Sequence, residues 1–186
     1  MELFLTDREK KLLLSLARET VSSALEGKPV IPPVAEGNLC TNAGVFVTIH
    51  KTDGSLRGCI GQLYGKSNLV ETVREVALSS AFNDPRFTPV KKEELKDLVF
   101  EISILSPLRQ GKAEEIIPGK HGIYLKRGYS GGLLLPQVAV EQGWDRWEFL
   151  DHGCRKAGLL PGSWKDPYTE LYLFTALVFK EEPKSD

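Results

Sequence analysis

Three side chains able to do chemistry near neutral pH stand in one short stretch, "VTIHKTDGSLRGCIG": His50, Arg57 and Cys59. A guanidinium beside a thiol favours the thiolate, and an imidazole within reach can take the thiol proton, so together they would make Cys59 a nucleophile or a thiolate ligand. That chemistry requires the three to converge. Asp53-Gly54 is a favoured two-residue hairpin turn, and it pairs His50 with Arg57, Thr48 with Cys59 and Phe46 with Gly61. Because side chains alternate along a strand, Thr48, His50, Arg57 and Cys59 share one face, with Val45, Val47, Ile49, Leu56, Gly58 and Ile60 on the other. Gly58 and Gly61 weaken a strand and call for a bulge, or for the close approach of a backbone or a ligand.

Two readings stay open. In one, Thr48, Arg57, Gly58 and Gly61 line a ligand site, Arg57 holds an anion, Cys59 reacts and His50 carries the proton. In the other, Cys59 is a small packing residue, the glycines admit a helix against the sheet, and His50 and Arg57 sit in water.

The elements that must position this stretch follow from pattern. Thr6 to Gly27 reads as a helix, with Thr6 and Glu9 as a capping box and Leu12, Leu13, Leu16, Ala17, Val21 and Ala24 on one face. A proline-rich linker, "KPVIPPVAEGN", leads to a strand over Gly44 to Lys51, and the hairpin's second arm spans Leu56 to Leu63. A second helix runs from Asn68 to Asn83 and must break at Asp84-Pro85. A short helix over Lys91 to Leu98, a strand over Val99 to Ser106, a glycine-tipped hairpin in "GIYLKRGYSGGLLLP" and a capped helix over Asp145 to Gly158 come next. Thr169 to Lys180 is long enough for one strand of the core sheet. With no repeated βα unit, the fold class is α+β with antiparallel pairing, one domain over 1–186.

Other residues compete for attention. In "DPRF", Asp84 is held extended by Pro85, so its carboxylate can accept backbone N–H groups or pair with Arg86, while Phe87 plugs the core. Arg86 would then join Arg57 in binding an anion, unless the motif only locks a loop. His121 precedes a strand and serves as acid or base if the fold brings it to Cys59. "GYSGG" matches the G-x-S-x-G nucleophile pattern at Ser130, with Asp145 and His152 in hydrolase order, but "LLLPQ" follows where the elbow needs a helix. "DHGC", Asp151 to Cys154, is the densest group of metal-ligating types, yet on a helix His152 and Cys154 point apart, so no metal site is expected. No phosphate-binding or dinucleotide fingerprint is present, and no cofactor is expected.

Composition narrows the class. The 186 residues carry a net charge of -1 with 41% hydrophobic content, which suits a globular core and gives no electrostatic footprint for nucleic acid. No apolar run reaches membrane-spanning length, and "MELFLTDREKK" lacks the basic start of a secretory signal, so a cytoplasmic protein is expected. The three cysteines, Cys40, Cys59 and Cys154, form no pair suggestive of a disulfide framework.

Five segments, "FVTIHKTDGSLRGCIGQL", "ALSSAFNDPRFTPVKKEELKDLVFEISILSP", "GKHGIYL", "LLLPQVAVEQGW" and "CRKAGL", resemble in order the AMMECR family over nearly the whole chain. The resemblance implies a larger lobe built from both chain ends and a smaller lobe from a middle segment. It carries the family pattern onto Leu56 to Gly61 and onto Asp84, Pro85, Arg86 and Phe87. It brings no established activity. Prokaryotic members occur beside a Memo-type protein, similar to extradiol dioxygenases, and a radical S-adenosylmethionine enzyme, which implies these as partners in a modification pathway. Two classes of function follow: a cysteine-centred enzyme or binding component for a small anionic ligand, and a non-catalytic scaffold. A serine hydrolase using Ser130 is the third reading.

Overall fold

The computed structural model describes residues 4–182. The chain divides into two compact units, one built from residues up to Ile104 together with those from Leu177 on, the other from Leu105–Ala176. Helices and antiparallel sheets mix in both, an α+β fold.

The first unit opens with α1 (Asp7–Leu25), where the hydroxyl of Thr6 accepts from the Glu9 N–H and the Glu9 carboxylate accepts from the Thr6 N–H at 2.7 Å. These reciprocal bonds satisfy N–H groups that a helix start leaves without partners. Its buried stripe includes Leu13, Leu16, Ala17 and Val21. In α2 (Leu69–Phe82) Asn68 caps the first turn by accepting from the Glu71 N–H. The helix stops at Asn83, just before Pro85, where proline forbids its continuation. A four-stranded sheet in the order β2-β1-β3-β8 backs these helices, made of β1 (Val45–Lys51), β2 (Leu56–Gln62), β3 (Leu98–Leu105) and, numbered by chain order, β8 (Ala176–Lys180). Val45, Val47 and Ile49 of β1 join Phe100, Ile102 and Ile104 of β3 and the apolar face of α2 in one core. The opposite face of β1 and β3 holds Thr48, Glu101 and Ser103, which are also buried.

The second unit carries the sheet β4-β7-β5-β6, from β4 (Arg109–Gln110), β5 (Gly122–Arg127), β6 (Ser130–Leu134) and β7 (Glu170–Phe174). Helices α3 (Pro136–Glu141) and α4 (Arg146–Lys156) belong to it, and its core gathers Ile123, Leu125, Phe149, Leu150 and Leu173. Asp145 and Glu148 form the capping box of α4.

Three elements depart from the sequence pattern. The stretch from Thr169 to Lys180 is two strands in two sheets, because at Thr175 both backbone groups bond to Ser106, which ends β7. Lys92–Asp97 winds as a 3-10 turn where a short helix is expected over Lys91 to Leu98. Pro136 begins α3 where an extended apolar run is expected, since proline suits the first turn of a helix, where its missing N–H costs nothing.

Candidate functional site

The β1-β2 hairpin turns at Lys51 to Gly54, with the Gly54 N–H bonded to the Lys51 carbonyl and Gly54 at φ +85°, the left-handed region that glycine tolerates. Phe46 pairs with Gly61 and Thr48 with Cys59. The pairing of His50 with Arg57 does not form. His50 stands opposite Leu56, and the register shifts between Ile49 and His50, so Arg57 and Gly58 together oppose Ile49. This is a β-bulge: the extra residue turns Arg57 off the face of Thr48 and Cys59 and leaves Leu56 exposed where a core residue is expected.

Arg57 is consequently 6% exposed and fully engaged. Its Nε and Nη2 clasp the Glu94 carboxylate at 2.8 and 3.0 Å, and Nη1 donates to the Thr88 carbonyl at 2.9 Å. The guanidinium holds the Glu94 carboxyl below its ordinary value. An anion-binding role for Arg57 is therefore corrected: its donors tie the 88–94 segment to β2.

The glycines have separate reasons. A Cβ at Gly58 would lie 2.2 Å from the carbonyl oxygen of Ser80 on α2, and one at Gly61 would meet the Phe46 ring. Neither position is reserved for a ligand by this packing. Ser80 enters the hairpin itself: its hydroxyl accepts from the Ile60 N–H at 3.0 Å and donates to the Val47 carbonyl at 2.8 Å. A polar residue on the buried stripe of α2, between Ala77 and Ala81, is the sequence sign of this insertion; Glu94, the partner of Arg57, has no such sign.

At the outer edge of β2 the bends of "DPRF" and "LRGCIG" meet. Asp84, with a side chain 2% exposed, accepts from the Cys59 N–H at 2.8 Å, and its two oxygens receive Arg86 Nε at 3.0 Å and Nη2 at 2.7 Å. Arg86 Nη2 also donates to the Cys59 carbonyl at 3.2 Å, and the guanidinium lies over the Phe87 ring. The Arg86 bonds, followed by the backbone N–H groups, outweigh burial and hold the Asp84 carboxyl at about 2. Arg86 Nη1 makes no hydrogen bond among the described residues, and the side chain is half exposed. The Cys59 Sγ is half-buried, 3.2 Å from Thr48 Oγ1.

Thus Thr48, Cys59, Asp84 and Arg86 come together. His50 is half-buried on β1, one row along from Thr48, opposite Leu56 and Val99. His121 belongs to the second unit, where its Nδ1 accepts from the Ile117 N–H; burial, then Lys120, lowers its pKa. Ser130 opens β6 on a hairpin and the strand runs on past Gly132 to Leu134, where the elbow needs a sharp turn into a helix, so the nucleophile elbow is not built. Asp145 is spent as a helix cap, and the His152 ring stacks on Trp144 at 3.6 Å. Among the described residues no three His, Cys, Asp or Glu side chains converge as metal ligands. No described helix is long and apolar enough to cross a membrane.

Comparison with known proteins completes the picture. The AMMECR1 family model matches residues 14–179. Protein NEQ441 of Nanoarchaeum equitans is 46% identical over 178 residues, 91% of this chain and 99% of that protein. Protein MK0488 of Methanopyrus kandleri is 44% identical over 188 residues, 96% of this chain and 91% of that protein. The crystal structure of uncharacterized protein PH0010 from Pyrococcus horikoshii matches with a TM-score of 0.89 at 42% identity, covering 98% of this chain and 96% of that one.

Proposed function

The chain belongs to the AMMECR1 family, and from that premise we propose that it works through a small site at the outer edge of β2, where Arg86 receives an anionic ligand beside the Cys59 thiol. Cys59 is the nucleophile or thiolate ligand, Thr48 orients the sulfur, Asp84 fixes Arg86, and His50 is the proton carrier available on the same hairpin. The observation that carries this reading is the double role of Asp84. One carboxylate anchors the Cys59 backbone and grips the Arg86 guanidinium, leaving Nη1 to a ligand. The resemblance to the AMMECR family supports a place beside a Memo-type protein and a radical S-adenosylmethionine enzyme in a modification pathway.

A second reading has its own support: Arg57, Gly58 and Gly61 all have packing reasons, as they would in a scaffold module. Alkylation separates the two. Iodoacetamide at neutral pH, followed by peptide mass spectrometry, should modify Cys59 faster than exposed Cys40 and far faster than buried Cys154, whose burial pushes its thiol pKa up. Replacing Arg86 by Ala should slow Cys59 and leave Cys40 unchanged. A Cys59 that stays unmodified in the native chain decides for the scaffold.

A further inference from the structure

The proline-rich linker between α1 and β1 is tied to the fold at both ends of its apolar run. Val30 and Ala35 pack on the core of the first unit, while Ile31 and Val34, between them, are 92% and 80% exposed. The prolines explain the pattern. Pro32 and Pro33 hold the residues before them extended, and a polyproline II helix repeats every three residues, so Ile31 and Val34 fall on one ridge about 9 Å apart. Glu36 follows, exposed, with no hydrogen bond or ion pair to its carboxylate among the described residues. Two apolar side chains thus stand in water on a strap whose backbone is already fixed, which lowers the cost of ordering it on binding.

The second unit presents a complementary surface. The rings of Trp147, on α4, and Trp164 stack at 5.4 Å, and Trp147 is 45% exposed. Asp151 fixes this platform: one of its oxygens accepts from the Trp164 Nε1–H at 2.9 Å and from the Gly162 N–H at 2.8 Å. The Arg146 guanidinium lies over Trp147 and the Lys165 ammonium over Trp164. Arg146 donates to the Glu114 carbonyl, and neither cation has a carboxylate partner among the described residues. Paired aromatic rings are a surface on which polyproline II ridges dock, and here cations border them.

We propose that a second copy of this chain occupies the platform: the strap of one copy lies across the Trp147–Trp164 pair of the other, with Ile31 and Val34 on the rings and Glu36 against Lys165. Charge complementarity selects this occupant. The chain itself carries the apolar proline ridge and the unpaired carboxylate that the rings and their unpaired cations fit. A two-fold axis lets each copy give one strap and receive one, which closes the assembly at two chains. None of the residues around Cys59 takes part, so this contact is independent of the proposed site.

Sedimentation equilibrium of the full chain, from about 1 to 100 μM, tests the proposal, and a monomer–dimer equilibrium is expected in that range. Ile31→Ser combined with Val34→Ser, and separately Trp147→Ala, should each raise the dissociation constant at least about tenfold. Far-UV circular dichroism should stay unchanged, because the replaced side chains are exposed. Glu36→Lys should weaken the dimer as well, and Lys165→Glu added to the same chain should restore it, which no loss of folding would imitate. A chain that stays monomeric throughout, or a dimer indifferent to the strap and platform changes, overturns the proposal. If a monomeric chain nonetheless binds a synthetic peptide of residues 28–37 with a shift in tryptophan emission, the platform serves a proline-rich segment of another protein and the second copy is excluded.

Discussion

Asp84 is the residue on which the site's geometry turns, and its ionisation has a measurable cost and benefit. Its folded pKa is depressed to about 2 from an ordinary 3.8, first by Arg86. A carboxyl depressed on folding contributes stability that is complete above its unfolded pKa and is lost as pH falls through the folded one. The window is therefore about pH 4 down to pH 2, with a contribution of about 2 kcal/mol above it. Urea unfolding across that range should show Asp84→Asn less stable than the wild chain at pH 6, with the gap closing toward pH 2. A gap independent of pH would mean that the carboxylate charge contributes nothing. Much of this residue was legible beforehand, because proline after Asp84 presents its carboxylate for N–H groups or Arg86, and both bonds form. Arg57 was not: a cation beside a cysteine in sequence looks like a site residue, and only the bulge sends it to Glu94 and two backbone carbonyls.

At the scale of elements, the hairpin and α2 are fitted so closely that small side chains decide the join. Gly58 faces backbone on the helix, whereas Gly61 faces the ring of Phe46, which can rotate away. Gly58→Ala must push α2 off the sheet and should cost about 3 kcal/mol, with Gly61→Ala costing less than half as much. Ser80→Ala strips partners from the Ile60 N–H and the Val47 carbonyl and should cost about 2 kcal/mol. Urea midpoints at constant m would measure all three, and equal losses at Gly58 and Gly61 would contradict the distinction between backbone and side-chain neighbours. The caps of α1 and α4 could be read from residue types because a cap is a local bond between residues three apart. The bulge was legible only in part: the glycines call for a bulge or a close approach, but residue types do not say that Arg57 is the extra residue, whose ion pair joins Glu94 far along the chain.

Across the whole molecule, the first unit is closed by residues from both directions of the chain. Arg18 on α1 clasps Glu181 through Nε and Nη2, both at 2.6 Å, and bonds the carbonyls of Leu95 and Leu98, while Glu181 also accepts from the Phe100 N–H. Removing one partner of so enclosed a pair costs about 3 kcal/mol. Trp144, Trp147 and Trp164 all lie in the second unit, which has its own core, so tryptophan fluorescence reports that unit while far-UV circular dichroism reports both. Arg18→Met should lower the dichroism midpoint in urea more than the fluorescence midpoint. Equal shifts would show that the two cores respond as one. The α+β class was visible in the order of helix and strand patterns. The division of Thr169 to Lys180 between two sheets was not, since both halves are apolar and carry aromatic residues and Ser106, which parts them, is remote in sequence.

Because β2 is the outermost strand of its sheet, its free side would ordinarily invite a strand from another molecule. Asp84 and Arg86 occupy the N–H and carbonyl of Cys59 there, so at that position the groups such a strand would need are taken. The pair that shapes the thiol's surroundings thus also blunts this rim against strand addition.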